Sequence, residues 1–454
     1  MEIPQHSKGR FRRRFAYPLT IFFLFAITVF VNAQDWVRTG TNLGAQKIRL
    51  AAANFKPVGF DTALATEKQT FDSVLYSDLT NAGIFDMVSK SMAPPVMPGS
   101  PQEINLSQWS SPPADAAMVA FGALALQNGR VSVYGWLYDT KNTQSPQVLG
   151  QQYNEADGPN TARHIAHEFA DAIIARLGGG INGIAESQIY FVSNRTGTKE
   201  IWEMDYDGAN QKQLTHLGSI SLSPRISPDG HRLAFAELGK RGWAIRMYSM
   251  DLNRLVSFPS GSGSDLSPAW APDGNTLAFS SSRSGDPEIW TCSSSGLNLH
   301  RVTAYRGPDV SPVWNPKTGT QIAWISGRTN LPQLYIMDSD GTNVQRMTDG
   351  GYATSPSWSP NGQFLAFSWD RHYGPGAPGG QDIYVMDIAS HRWIQLTHDI
   401  GRNDFPSWSP DGRHIVFQNY QHGRREIWTM LADGTQQHAL TTAGGNSMPN
   451  WSWK

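Results

Sequence analysis

Ser267-Pro-Ala-Trp-Ala-Pro-Asp-Gly274 is one of six copies of an anchor in this chain. The others are Ser223-Pro-Arg-Ile-Ser-Pro-Asp-Gly230, Ser311-Pro-Val-Trp-Asn-Pro316, Ser355-Pro-Ser-Trp-Ser-Pro-Asn-Gly362, Phe405-Pro-Ser-Trp-Ser-Pro-Asp-Gly412 and Met448-Pro-Asn-Trp-Ser-Trp453. Their starts are spaced by 44, 44, 44, 50 and 43 residues. That period suits the four short strands of a propeller blade and not a helical pair. Six anchors imply six blades.

The residues between the anchors support this reading. A second strand carries an aromatic at Phe191, Phe235, Phe279, Trp324, Phe367 or Phe417, and a third strand carries one at Trp202, Tyr248, Trp290, Tyr335, Tyr384 or Trp428. Alternation such as Leu277-Ala278-Phe279 has the period of two expected of a strand. The Asp-Gly or Asn-Gly behind an anchor is hairpin chemistry, since a positive φ costs little there. Cys292 falls where the other repeats place Met204, Met250, Met337, Met386 and Met430, so an inert thiol in an apolar slot is expected. The first copy opens at Ile189-Tyr-Phe-Val without an anchor strand, and the last anchor has no strands behind it. Pairing Trp451 with the Ile189 strand would close the ring and remove two exposed edges.

Four antiparallel strands per blade put the anchor turn and the Asp-x-Asp-Gly turn on one side of the ring. The opposite side carries the loops with Arg195, Arg283, Arg328 and Arg371, and the segments leading into each anchor proline. It is the expected binding face, because its loops vary in sequence and length. The one long repeat owes its length to Arg371-His-Tyr-Gly-Pro-Gly-Ala-Pro-Gly-Gly-Gln381 on that same side, and insertions of this kind map to binding faces.

Ahead of the repeats the pattern changes. A strand is expected at Lys47 to Phe55, an amphipathic helix from about Glu67 to Ala82, and a short strand near Phe85 to Val88. A proline-rich excursion from Pro94 to Pro113 leads to a hairpin, Ala117 to Leu126 and Val131 to Tyr138, turning at Asn128-Gly129. A further short strand precedes a helix from about Thr161 to Leu177, which stops at Gly178-Gly-Gly180. The fold class read from the whole is an α/β N-terminal domain, residues 34–180, followed by an all-β six-bladed propeller, residues 181–454.

Lys8, Arg10, Arg12, Arg13 and Arg14 precede a mostly apolar stretch from Phe15 to Val31 that ends in Val31-Asn32-Ala33. This is the layout of a signal peptide, with cleavage expected after Ala33 and an uncleaved anchor as the alternative. Setting aside the five basic residues and the one acid, Glu2, of the first 33 positions leaves 32 Lys+Arg against 37 Asp+Glu, a net charge near −5. Such a chain has no basic footprint for nucleic acid and no attraction to anionic lipid, so no membrane insertion is expected after cleavage. One cysteine in an exported chain of 454 residues means that the core alone must hold the fold. A monomer is expected, with a protein, a glycan or a small molecule as its partner.

Catalytic patterns are weak. His164, His167 and Glu168 share a helix, but His-x-x-His-Glu has neither zincin order. His216, His372 and His398 could gather a metal at the propeller mouth, as in an exported propeller enzyme acting on glycan or peptide, yet no carboxylate cluster accompanies them. Asp205-Tyr-Asp207-Gly208 and Asp338-Ser-Asp340-Gly341 lack the remaining ligands of a calcium loop and read as turns. No Gly-x-Ser-x-Gly elbow is present. Neither a cofactor nor a resident metal is expected.

The order of parts, the repeated Ser-Pro-x-Trp-Ser-Pro-Asp-Gly, Leu-Ala-Phe and Ile-Trp-x-Met-Asp-x-Asp-Gly elements, and the segments Leu149-Gly-Gln-Gln-Tyr153 and His164-Ile-Ala-His-Glu-Phe-Ala-Asp171 together resemble the TolB family of the Tol-Pal envelope system. The resemblance covers nearly all of the chain behind the leader. It implies a non-enzymatic periplasmic adaptor that supports outer-membrane integrity and constriction during cell division. It further implies that the propeller binds the peptidoglycan-associated lipoprotein Pal and that the mature N-terminus binds TolA. By position relative to Pro268, Pro312, Pro356 and Pro406, the Pal-type contacts would be Ser264, Asp265, Asp309, Val310, Thr354 and Asp404, with Arg283, Arg328 and Arg371 beside them. The TolA-type segment would begin at Gln34, Asp35, Trp36 and Val37, which could add to a sheet edge of the partner. A frayed terminus is the other reading of that segment.

Overall fold

The computed structural model describes residues 35–59, 62–259, 261–374 and 380–453. Ala33, Gln34 and the leader before them lie outside the described residues, as does the middle of the Gly/Pro excursion. The described residues form one compact unit.

Its N-terminal part is a sheet with two helices on one face. The helix α1 (Asp35–Gly40) comes first, then β1 (Ile48–Ala52), β2 (Lys56–Val58), α2 (Thr62–Asn81), β3 (Phe85–Met87), α3 (Leu106–Ser110), β4 (Met118–Gln127), β5 (Arg130–Asp139), β6 (Gln147–Ala156) and α4 (Thr161–Leu177). The sheet order is β3-β1-β4-β5-β6, with β2 also pairing β4. Leu64, Phe71, Leu75 and Leu79 of α2 and Ile165, Phe169 and Ile173 of α4 bury their apolar stripe against Leu50, Leu124, Val133 and Leu137 of the sheet. Gly122 and Gly135 stand opposite each other on β4 and β5. A Cβ at Gly122 would meet the Tyr134 carbonyl oxygen at 2.0 Å, and one at Gly135 would meet the Phe169 ring at 2.7 Å. Only glycine lets Phe169 lie this close to the sheet. The far face is covered by the proline-rich segment, whose α3 drives Trp109 into a pocket with Val119, Phe121 and Tyr138.

The α/β expectation holds, with three local differences. The helix α2 begins at Thr62, five residues before the expected start. The expected first strand ends at Ala52, three residues short of Phe55, with a further strand β2 following it, and β6 is ten residues long and not short.

The propeller closes as its phase requires. Innermost strands at Ser221–Ile226, Asp265–Trp270, Asp309–Trp314, Tyr352–Trp358 and Arg402–Trp408 start blades II to VI, and Asn446–Trp451 completes blade I beside Gln188–Ser193. Trp451 faces Ile189 across that pairing. Every innermost strand carries a bulge at the corner formed by its anchor proline and the residue before it. The residue before the proline takes a φ between +52° and +55° in all six, at Ser223, Ser267, Ser311, Ser355, Phe405 and Met448. Extra residues of this kind bend a strand and sharpen its twist, which turns the inner strands around a central channel.

Blade II departs from the expected register. Its hairpin turns at Lys240-Arg241, so its strands run Arg232–Gly239 and Gly242–Ser249. Phe235 therefore faces Arg246, and Tyr248 faces Leu233. In blade III the matching Leu277 faces Cys292. Tyr248 thus takes the slot that Met204 and Met337 hold in their blades. Met250 lies beyond the strand, which corrects its expected equivalence with Cys292. Burial pushes the Cys292 thiol up to about 12, so it is protonated and unreactive at neutral pH.

Candidate functional site

The second strand of each blade ends, and the innermost strand begins, on the face expected to bind. Three blades carry the same device there. In Ser193-x-Arg195, Ser281-x-Arg283 and Ser326-x-Arg328 the arginine Nε donates to the serine Oγ at 3.0, 2.8 and 2.8 Å. Each guanidinium lies over an aromatic of the third strand, Trp202 at 4.5 Å, Trp290 at 5.1 Å or Tyr335 at 4.9 Å. Its far nitrogen reaches the start of the innermost strand: Asn446 Oδ1 at 3.1 Å, both oxygens of Asp265 at 2.9 Å, or Asp309 Oδ2 at 2.9 Å. Asp265 and Asp309 are buried. Their carboxylates hold their own blades together from inside. Arg371 does a related job in blade V, 4.2 Å from the centre of the Trp393 ring and 5.1 Å from that of Trp369.

The next position along each innermost strand, just before the corner that lines the narrow end of the channel, is Leu222, Leu266, Val310, Thr354, Asp404 and Ser447 in turn. Leu222, Leu266 and Val310 pack half-buried against the blade cores, whereas Thr354 and Asp404 meet across neighbouring blades beside the channel mouth. Thr354 Oγ1 lies 3.3 Å from Asp404 Oδ1, and the Phe405 amide donates to the same oxygen at 2.7 Å. Burial nevertheless raises the pKa of Asp404. Ser264 donates its amide to Ser282 Oγ at 2.9 Å just outside the Asp265 clamp.

The loops around this mouth present exposed apolar side chains that the sequence reading did not single out: Ile220, Leu238, Tyr305, Leu331, Tyr373 and Tyr420. Each sits in a lead-in to an innermost strand or at the second-to-third-strand connection. An apolar residue inside such a loop, where packing does not require it, is the signal that would have found them.

The opposite face docks against the α/β part. Arg163 of α4 reaches Asp207 at 2.6 Å and Asp205 at 3.1 Å. The Asp-x-Asp-Gly segment is a turn, as expected, with the Gly208 amide donating to the Asp205 carbonyl at 2.9 Å. Between its two aspartates, Tyr206 donates to Asp78 Oδ1 at 2.6 Å, while His167 Nδ1 pairs with Asp78 Oδ2 at 2.7 Å. Burial raises the pKa of Asp78, against the stabilising contact from His167. The fully buried Arg413 donates to the Gly178 carbonyl at 2.9 Å, and His414 Nε2 meets the Asn81 carbonyl at 2.7 Å. Buried charges and polar groups paired across a boundary fix its geometry, because losing either partner strands the other.

The N-terminal segment has a seat on the ring. Val37 is fully buried, packed with Leu43 against Phe364, Ile415 and Leu431 of blades V and VI. Trp36 lies 5.5 Å from the Phe364 ring under the Arg392 guanidinium, and Arg38 Nε is 3.5 Å from Asp433. A frayed terminus does not describe these residues.

His164 and Glu168 meet Glu155, and their ligand atoms lie within 4.8 Å of one another. His164 Nδ1 is 3.0 Å from Glu155 Oε1 on an exposed surface. His167 points instead into the buried contact with Asp78. Among the described residues His216, His372 and His398 belong to no such group.

The TolB beta propeller domain family matches residues 176–373 and 351–454, and the TolB amino-terminal domain family matches residues 41–145. A protein TolB homolog of Chlorobium luteolum is 32% identical over 344 residues, 75% of this chain and 65% of the relative. The Tol-Pal system protein TolB of Geobacter metallireducens is 33% identical over 221 residues, 49% of each chain. The matched region thus spans from half to just under two thirds of these relatives. The crystal structure of TolB from Acinetobacter baumannii has the same fold, with a TM-score of 0.75 and 24% identity, covering 90% of this chain and 97% of that one.

Proposed function

The chain belongs to the TolB family, and from that premise we propose that it is a periplasmic adaptor of the Tol-Pal system, working by protein binding without catalysis. The observation that carries this reading is the ring of exposed apolar side chains on the face left free by the α/β part. Tyr305, Tyr373 and Tyr420 supply large, rigid contact area at the rim of a channel mouth, the kind of surface that dominates protein interfaces. A Pal-like lipoprotein would settle there, touching Ser264, Val310, Thr354 and Asp404 at the mouth. Asp265, Asp309, Arg283, Arg328 and Arg371 would act from beneath by holding the loops in place. In the cell this would support outer-membrane integrity and constriction during division.

The segment from Gln34 through Val37 would engage a TolA-like partner. Strand addition needs an extended backbone, whereas Asp35–Gly40 is helical with Val37 buried. Engagement would therefore require the segment to leave its seat, and its affinity would be reduced by the fraction of molecules in which it is seated.

Titration calorimetry of the mature chain with the soluble domain of its cognate Pal-like lipoprotein tests the first assignment. The double variant Tyr305→Ser, Tyr420→Ser should bind at least about tenfold more weakly while melting like the parent, as expected for removal of exposed interface anchors. Unchanged affinity would remove this face as the docking site.

A further inference from the structure

The central channel holds an unmatched positive charge. Its wider chamber, about 260 Å³, opens toward the turn-bearing face and is walled by the anchor tryptophans Trp270, Trp314, Trp358, Trp408 and Trp451 together with Trp453. A narrower space of about 30 Å³ lies between the anchor-proline corners beyond it. Arg225 lines both, and among the described residues lining either space it alone is ionisable. The equivalent positions of the other blades are Ala269, Val313, Ser357, Ser407 and Asn450. Arg225 Nη1 donates to the carbonyl of its neighbour Pro224 at 2.9 Å, and no described carboxylate forms an ion pair with it.

The ring nitrogens of four wall tryptophans are not available to a ligand in the chamber. Trp270 Nε1 donates to the Arg225 carbonyl at 3.0 Å and Trp358 Nε1 to the Val313 carbonyl at 3.3 Å. The ring nitrogens of Trp314 and Trp408 are closed off from water and so from the open space of the chamber. Burial lowers the Arg225 pKa to about 10, which leaves it charged at neutral pH in a desolvated place. A half-buried cation at the narrow end of a tryptophan-walled chamber, with no acid among the described walls, leaves the missing partner an anion.

We propose that this chamber is a binding site for a small aromatic or branched monocarboxylate, its carboxylate held by Arg225 and its apolar body held between the tryptophans. A guanidinium fork suits a carboxylate in two-pronged contact, and indole faces suit a flat apolar group. A volume below the roughly 300 Å³ at which drug-sized ligands begin excludes a peptide of any length. The narrow corner end excludes a chain threading in from the opposite face.

Calorimetry of the whole mature chain with phenylacetate tests this, with phenylacetamide, acetate and inorganic phosphate as the other arms. Phenylacetate should bind at least about tenfold more tightly than phenylacetamide, the effect of one charge-assisted contact, and more tightly than acetate or phosphate. Arg225→Gln should lose that preference. Asn450→Asp is the second variant, because the Ile226 amide already donates to Asn450 Oδ1 at 3.1 Å and an aspartate can keep that bond. It places a carboxylate beside Arg225 and should abolish binding without lowering the melting temperature. Equal binding of phenylacetate and phenylacetamide, phosphate as the tighter ligand, or full affinity in both variants would overturn the proposal.

Discussion

Arg283 Nη2 lies 2.9 Å from both carboxylate oxygens of Asp265, and both side chains are nearly closed off from water. The pair, placed by sequence on a binding face, is a clamp within blade III. Removing one member leaves a buried charge without its partner, which costs about 3–5 kcal/mol. Asp265→Ala and Arg283→Ala should each lower the urea midpoint by a corresponding amount. The double variant should recover part of the loss, and a double-mutant cycle with no coupling would show that the two side chains act separately.

Trp451 closes the ring with its ring nitrogen 2.8 Å from Ser187 Oγ and its amide 3.0 Å from Ser407 Oγ. Trp451→Ala should destabilise the propeller by about 3–5 kcal/mol, the range for a buried tryptophan reduced to alanine. Deleting residues 445–454 should abolish cooperative unfolding altogether. Circular dichroism melts of the two proteins, side by side, check both statements.

Asp171 accepts the amides of Ala185 and Glu186 at 3.0 and 3.3 Å, tying α4 to the segment that leads into the propeller. Burial outweighs those bonds and pushes its pKa up to about 7. A carboxyl with a raised native pKa binds its proton more tightly when folded. Its stabilising contribution is therefore complete below about pH 4 and is lost as pH rises through 7. Asp171→Asn should flatten that part of the profile, so the difference in urea midpoint between variant and parent should grow from pH 5 to pH 8. A constant difference would assign the pH dependence to other groups.

Val37 is the buried anchor of the N-terminal segment. Val37→Asp puts a charge into the apolar groove of blades V and VI and should unseat the helix. Limited trypsinolysis reads this directly, because cleavage after Arg38 needs an accessible backbone. The variant should be cut there several-fold faster than the parent, with the propeller intact.

The blade count, the closure and the inert thiol were legible because each rests on a repeated local pattern. Six anchors give six bulged strands, and a headless first copy needs a tail. What escaped was set by partners distant in sequence. Asp265 and Arg283 are separated by a whole hairpin, so nothing local says that they meet. Blade II slipped because the turn at Lys240-Arg241 lets its strands pair to their ends, which puts Tyr248 opposite Leu233 in a slot that spacing alone gives to methionine. The exposed tyrosines and Arg225 are hard to read from sequence for a different reason. Each is a single departure inside a repeat, and repeats invite attention to what recurs.

The pairing of Asn446–Trp451 with Gln188–Ser193 also has a clock in it. Synthesis at about 5–20 residues per second separates these two strands by on the order of 10–50 s. For that interval the inner edge of Gln188–Ser193 has no neighbour, and five blades wait in an open arc with two bare ends. Bare edges of this kind are templates for pairing with other chains. The ring is thus most exposed to error while it is being made, and a nascent chain stalled within its last ten residues should aggregate where the finished one does not.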